Sequence, residues 1–193
     1  MVSIIFIFCG FAVLMLAEWR YVRFSRKSQR AQPGKMPAVL RGHTALQAAG
    51  YITVAAGMLI SLLHQGVALH IPALVRALSL CIAILGGALL VWTVFIEIPV
   101  GMRKHNVEPG CAYRYGSYGM CRHPGFWWFL IFTLGMAFWK SDLHIFLLFF
   151  LENALNLLLI LLQDKYTFIV QFRDYQEYQK KVPFLLPSPK QDG

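Results

Sequence analysis

Acidic residues are scarce in this chain, and so is charge of any kind. Nine Asp and Glu stand against 18 Lys and Arg in 193 residues, and charged residues make up 14% of the total. A water-soluble domain carries roughly 25%, so the polar surface needed to coat a globule of this size is missing. Cys9, Cys81, Cys111 and Cys121 form no C-x-x-C pair and two of them lie inside apolar runs, so neither a disulfide framework nor a zinc site is indicated; no metal ligand set is expected. Neither G-x-G-x-x-G nor G-x-x-x-x-G-K-[ST] occurs, which excludes a Rossmann or P-loop nucleotide site. No histidine falls in the middle of an apolar run, which argues against a b-type haem. Internal repeats and low-complexity tracts are absent.

What is present is apolar: 58% of all residues, with a mean hydropathy of +0.55. A bilayer core of about 30 Å is crossed by about 20 apolar residues. Five runs approach that length: Val2 to Ala17, Ala45 to Leu63, Ile71 to Ile98, Phe126 to Trp139 and Ile145 to Leu162. The expected fold is therefore all-α, a single integral membrane domain over residues 1–193 with five transmembrane helices and a C-terminal helical tail. No positive residues precede the first run, and Glu18-Trp19-Arg20 rather than a small-residue cleavage site follows it, so it reads as a retained helix.

All the Lys and Arg except Arg76 and Lys140 fall in the basic loop 18–44, the loop 99–125 and the tail 163–193. This asymmetry is the positive-inside pattern and predicts an outside N-terminus and a cytoplasmic C-terminus. No basic stretch interleaves with stacking aromatics, so nucleic acid is not an expected partner. Arg20 to Arg41, with Pro33-Gly34 and Pro37 as breakers, reads as a connector. No helix carries G-x-x-x-G, and the oligomeric state is not legible.

Chemistry is expected on the basic side. Residues 110–126 combine three tyrosines with several glycines and end in Arg122-His123-Pro124 before an apolar run. Proline suits the first turn of a helix, and the unpaired N–H groups there suit an anion. An ordinary interfacial belt beneath Trp127 and Trp128 is the competing reading.

Tyr118, Arg122-His123-Pro124 and Phe126, followed by Asp164, Phe172, Tyr175, Tyr178 and Val182-Pro183, resemble the signature of the isoprenylcysteine carboxyl methyltransferases and the related membrane phospholipid methyltransferases. That signature reads G-x-Y-x-x-x-R-H-P-x-Y-x-G, then E-E-x-x-L-x-x-x-F-G-x-x-Y-x-x-Y and a V-P. The resemblance spans roughly residues 110–187. Asp164-Lys165 stands in place of the acidic pair, Arg173 and Trp128 in place of two glycines.

The resemblance implies an S-adenosylmethionine-dependent methyltransferase, with residues 2–98 forming three helices and 99–193 the methyltransferase core. Its acceptor would enter sideways from the bilayer: most like a prenylcysteine carboxylate, alternatively a phospholipid amine or a lipophilic phenol. The cofactor would be held by Tyr113, Gly116, Tyr118, His123, Pro124, Phe126 and Asp164. Aromatic rings suit a sulfonium, Arg122 would anchor an acidic acceptor bidentately, and Asp164 would serve as base for an amine or phenol. Other readings are a structural membrane protein and, by weaker likeness, a sterol reductase using a nicotinamide.

One further feature comes from spacing alone. Glu152, Asn156 and Gln163, with Asn153 beside them, lie close to one face of the fifth helix and predict a polar track descending to Asp164. Glu152 and Asn156 would meet the substrate. A protonated Glu152 bonded to another helix explains the same pattern.

Overall fold

The computed structural model describes residues 2–31, 42–64 and 66–186. Pro33, Gly34, Pro37, Lys35 and Arg41 of the expected connector lie outside them. All regular secondary structure among the described residues is helical, as the apolar runs require. Four helices are long and apolar enough to cross a membrane: Val2–Arg30, His43–Leu63, Ala73–Lys104 and Leu143–Gln171.

Helix α1 runs Val2–Ala31, so the segment from 18 onward, expected as a loop, begins as helix. Glu18, Tyr21, Val22 and Ser25 repeat at helical spacing and are buried, while Arg20, Arg23, Arg26, Lys27 and Arg30 face outward. Charge on one side of the cylinder had masked the periodicity. Arg23 stacks its guanidinium 4.4 Å over the Trp19 ring. Helix α2 is His43–Leu63.

Helix α3, Ala73–Lys104, extends a turn and a half past the expected end at Ile98. It contains a π-helical turn, Trp92–Glu97. The physical reason lies in Pro99, which has no N–H to donate four residues back and whose ring crowds the carbonyl there; the helix widens just before it. Helix α4, Pro124–Lys140, has Pro124 in its first turn and 17 residues, about 26 Å at 1.5 Å per residue. Helix α5, Leu143–Gln171, carries a second π turn, Gln163–Thr167. Phe168 therefore belongs to the long helix rather than to the tail expected from residue 163. The chain turns extended at Phe172 and ends its described helices with α6, Tyr175–Lys181.

The helices pack as two close pairs, α1 with α2 and α3 with α4, which α5 bridges by touching both α1 and α4. Absent side chains permit the approach within each pair. A Cβ at Gly50 would stand 2.6 Å from Leu14 Cγ, and one at Gly135 2.8 Å from the Ala83 nitrogen. Ile7, Phe11, Leu14, Ile145, Leu148, Phe149 and Leu159 fill the centre. At one end Asp142 caps α5 by accepting from the His144 N–H at 2.8 Å, and its other oxygen accepts from the Gly66 N–H at 2.6 Å. The opposite end holds residues 105–123 and 172–186.

The expected polar track divides. Asn153 donates to Thr133 Oγ1 of α4 at 2.8 Å, whereas Gln163 donates to Glu18 Oε1 of α1 at 2.8 Å. Asn153 and Gln163 stand ten residues apart on a regular helix, about 80° around its axis, so they face different neighbours. Glu152 is wholly buried and Asn156 half-buried.

Candidate functional site

Residues 105–123 form a loop that the tail zips shut. The Arg173 N–H donates to the Gly110 carbonyl at 2.9 Å, and Asp174 accepts from the Ala112 N–H at 2.7 Å. Ala112, Tyr175, Tyr178 and Val182 make a small core of their own, backed by Phe168 and Phe172. Tyr178 donates to the Tyr118 carbonyl at 2.6 Å. Burial, with the neighbouring Tyr118, pushes the Tyr178 phenol above its ordinary value. Burial, with the nearby Glu97, does the same to Tyr118.

At the centre of this seam lies Asp164. Arg122 donates from Nε to Oδ1 at 2.8 Å and from Nη2 to Oδ2 at 3.0 Å. Tyr175 donates to Oδ1 at 2.7 Å, and Gln179 to Oδ2 at 3.0 Å. His123 Nε2 lies 3.3 Å from Oδ1. Burial and the bond to Asp164 drive the Tyr175 phenol upward, so it remains a donor. Arg122 Nη1 also donates to the carbonyls of Gln179 and Val182, at 3.1 and 2.6 Å.

Four of the five guanidinium N–H groups are thus engaged inside the chain, with only 10% of the side chain exposed. An acceptor carboxylate has no bidentate face of Arg122 to bind. Asp164, with both oxygens held by donors, has no free lone pair aimed at an acceptor proton. Arg122 and Asp164 form a clip that joins the loop, the end of α5 and the tail. His123 belongs to it, its ring stacked 5.8 Å from Phe168 and edge-on to Phe184 at 5.0 Å. Pro124 is buried, and Phe126 sits edge-to-face with Trp127 at 5.7 Å.

A second piece lies across the loop. A cavity of about 570 Å³ is lined by the π turn of α3, the loop and α4, through Trp92, Glu97, Lys104, Tyr113, Ser117 and Trp128 among others. Ser117 donates to Glu97 twice, from its N–H to Oε1 and from its hydroxyl to Oε2, each at 2.6 Å. Gly116 makes this possible: its φ is +59°, a conformation costly for other residues, and a Cβ there would overlap the Glu97 carboxylate. The indole N–H of Trp128 is buried without a hydrogen-bond partner.

The structure therefore sorts the residues expected at the cofactor site into two groups. Tyr113 and Gly116 line the cavity, and Tyr118 meets Tyr113 edge-on at 5.7 Å. His123 and Asp164 lie in the clip. Glu152 and Asn156 belong to the helical bundle, eight residues or more before Asp164 along α5. Glu97 was missed. Its signal was a lone acid near the end of an apolar run, two residues before a proline. No metal-binding cluster of His, Cys, Asp and Glu occurs among the described residues. The chain matches no family model, no curated protein and no solved structure.

Proposed function

We propose that the protein is an integral membrane methyltransferase that uses S-adenosylmethionine and acts on a lipophilic acceptor arriving from the bilayer. The observation that carries this reading is the cavity beside the π turn. It joins an acid and aromatic rings to walls on an apolar helix, in a volume within the 300–1,000 Å³ or so of ligand sites. The Gly-Tyr loop that bears the family resemblance forms one side of it. Methyl transfer from a sulfonium is a direct displacement, so the protein mainly has to align two reactants and exclude water.

In this reading Tyr113, Gly116 and Tyr118 border the cofactor, while Arg122, His123 and Asp164 position the loop and tail around it. Helix α4 completes a fifth crossing, and the loop and tail face the cytoplasm, a reading that the distribution of Lys and Arg supports. By resemblance the acceptor is a prenylcysteine carboxylate, a phospholipid amine or a lipophilic phenol. The saturation of the clip favours a second reading, in which the seam serves only to hold the bundle together.

Titrating S-adenosylmethionine into the purified protein tests the proposal, followed by incubation of methyl-labelled cofactor with protein in native lipid. Saturable binding and label in the organic extract are expected. Absence of both would leave the structural reading.

A further inference from the structure

Glu18 is the last acid before Glu97, so residues 19–96 carry no negative side chain. Within that stretch α1 presents Arg20, Arg23, Arg26, Lys27 and Arg30, all exposed. At about 100° per residue the five fall within an arc of about 120°, opposite the arc that buries Glu18, Tyr21, Val22 and Ser25. A helix face that merely meets water mixes its signs, with acids three or four residues from bases. Here the neighbours at those spacings, Arg23 with Arg26 and Lys27, and both of these with Arg30, repel one another. None of the five forms an ion pair among the described residues. The stripe is a concentrated charge held in place by the packing behind it.

We infer that this stripe is a docking surface for an acidic helical segment of a partner protein. Acids spaced three and four apart on such a helix repeat at the interval of the α1 cations, and the distance from Arg20 to Arg30, about 15 Å, is matched by about three turns. The bilayer reaches only part of the stripe. Helix α1 has 30 residues, about 45 Å; counted from Val2, a hydrocarbon core of about 30 Å and the head groups beyond it take up the helix as far as Arg26, which leaves Lys27 and Arg30 in water. Nor can this end lie flat on a leaflet as an amphipathic helix does. Its apolar face is taken, with Tyr21 stacked on His43 of α2 at 4.6 Å and the helix packed on α5 as far as Phe168–Gln171. Single-stranded nucleic acid binds through bases stacked on aromatic rings, whereas here Tyr21 is buried and Trp19 already carries the Arg23 guanidinium. The docking is independent of methyl transfer and needs no cofactor.

The test is fluorescence anisotropy of a labelled peptide titrated with the protein in a neutral detergent. The probe is an alanine-based helix with glutamates three and four residues apart along one face; its control has the same composition with the glutamates spread around the helix. The striped peptide should bind at least about tenfold more tightly than the control. Lys27→Gln combined with Arg30→Gln should weaken it at least about fivefold. Removing as much charge from α6, where Lys180 and Lys181 are also exposed, by Lys180→Gln with Lys181→Gln should change it less than about twofold. The α1 changes relieve repulsion within the helix, so the melting temperature should not fall, and lost binding then reports on the surface rather than on folding. Equal affinities for the two peptides would overturn the inference, as would equal losses from the α1 and α6 variants. Tighter binding of a short oligothymidylate would make the stripe a nucleic-acid surface, and displacement of the peptide by dihexanoylphosphatidylglycerol but not by dihexanoylphosphatidylcholine would give it to the leaflet. Either outcome overturns the protein partner.

Discussion

The clip and the cavity flank the same loop and treat their carboxylates in opposite ways. Asp164 is surrounded by a guanidinium, a phenol, an amide and an imidazole, all from this chain, and every direction of approach is occupied. Glu97 is held by a single residue, Ser117, and opens on empty space. The contrast teaches that proximity to a family-like motif does not make an acid chemically available. The acid inside the motif-like segment is engaged in architecture, and the one outside it is free to meet a ligand.

Substitutions can break or sharpen this division. Asp164→Ala leaves Arg122 buried without its counter-charge, and losing one partner of such a pair costs about 3–5 kcal/mol. Thermal unfolding in detergent should show the largest loss of the set, with the tail newly open to protease. Tyr175→Phe removes one bond to the same carboxylate, worth about 2 kcal/mol, and the melting temperature should fall in proportion. Gly116→Ala strains a positive φ and pushes Glu97 aside, at about 1–2 kcal/mol; it should impair ligand binding far more than its modest effect on melting suggests. Asn153→Val cuts one interhelical bond within the bilayer, about 0.6 kcal/mol by comparable cases, and should leave binding unchanged. If Gly116→Ala destabilised the protein more than Asp164→Ala, the assignment of architecture to one side and binding to the other would be reversed.

Much of the scaffold is legible in the residues themselves. The apolar runs mark the long helices, Pro124 marks the start of α4, and the Tyr175 and Tyr178 pattern marks a tail that packs as a helix. What escapes is where a helix continues beneath charge or changes its pitch. Helix α1 outlasts its apolar run because Tyr21, Val22 and Ser25 keep one face buried while Arg20, Arg23 and Lys27 point away. The π turn at Gln163 carries no comparable sequence mark, and which neighbour Gln163 meets, Glu18 of α1, depends on packing that spacing along one helix does not show. At Trp92–Glu97 the mark was present in Pro99, but a proline near the end of an apolar run reads equally well as a stop. Glu97 was hidden by the same ambiguity, since an acid at a helix boundary is unremarkable and one inside a helix facing a cavity is not.

The clip also sets an order of assembly. Arg122 takes its partners from residues 164, 179 and 182, and its own N–H donates to the Pro183 carbonyl. During synthesis all of the long helices are joined into the chain before that last set of partners exists. The loop can therefore be fastened only once the long helices have been made, and the tail does the fastening. Making the long helices and fastening the loop are thus separate events in the life of one molecule, and a chain interrupted near residue 172 would finish the first without reaching the second.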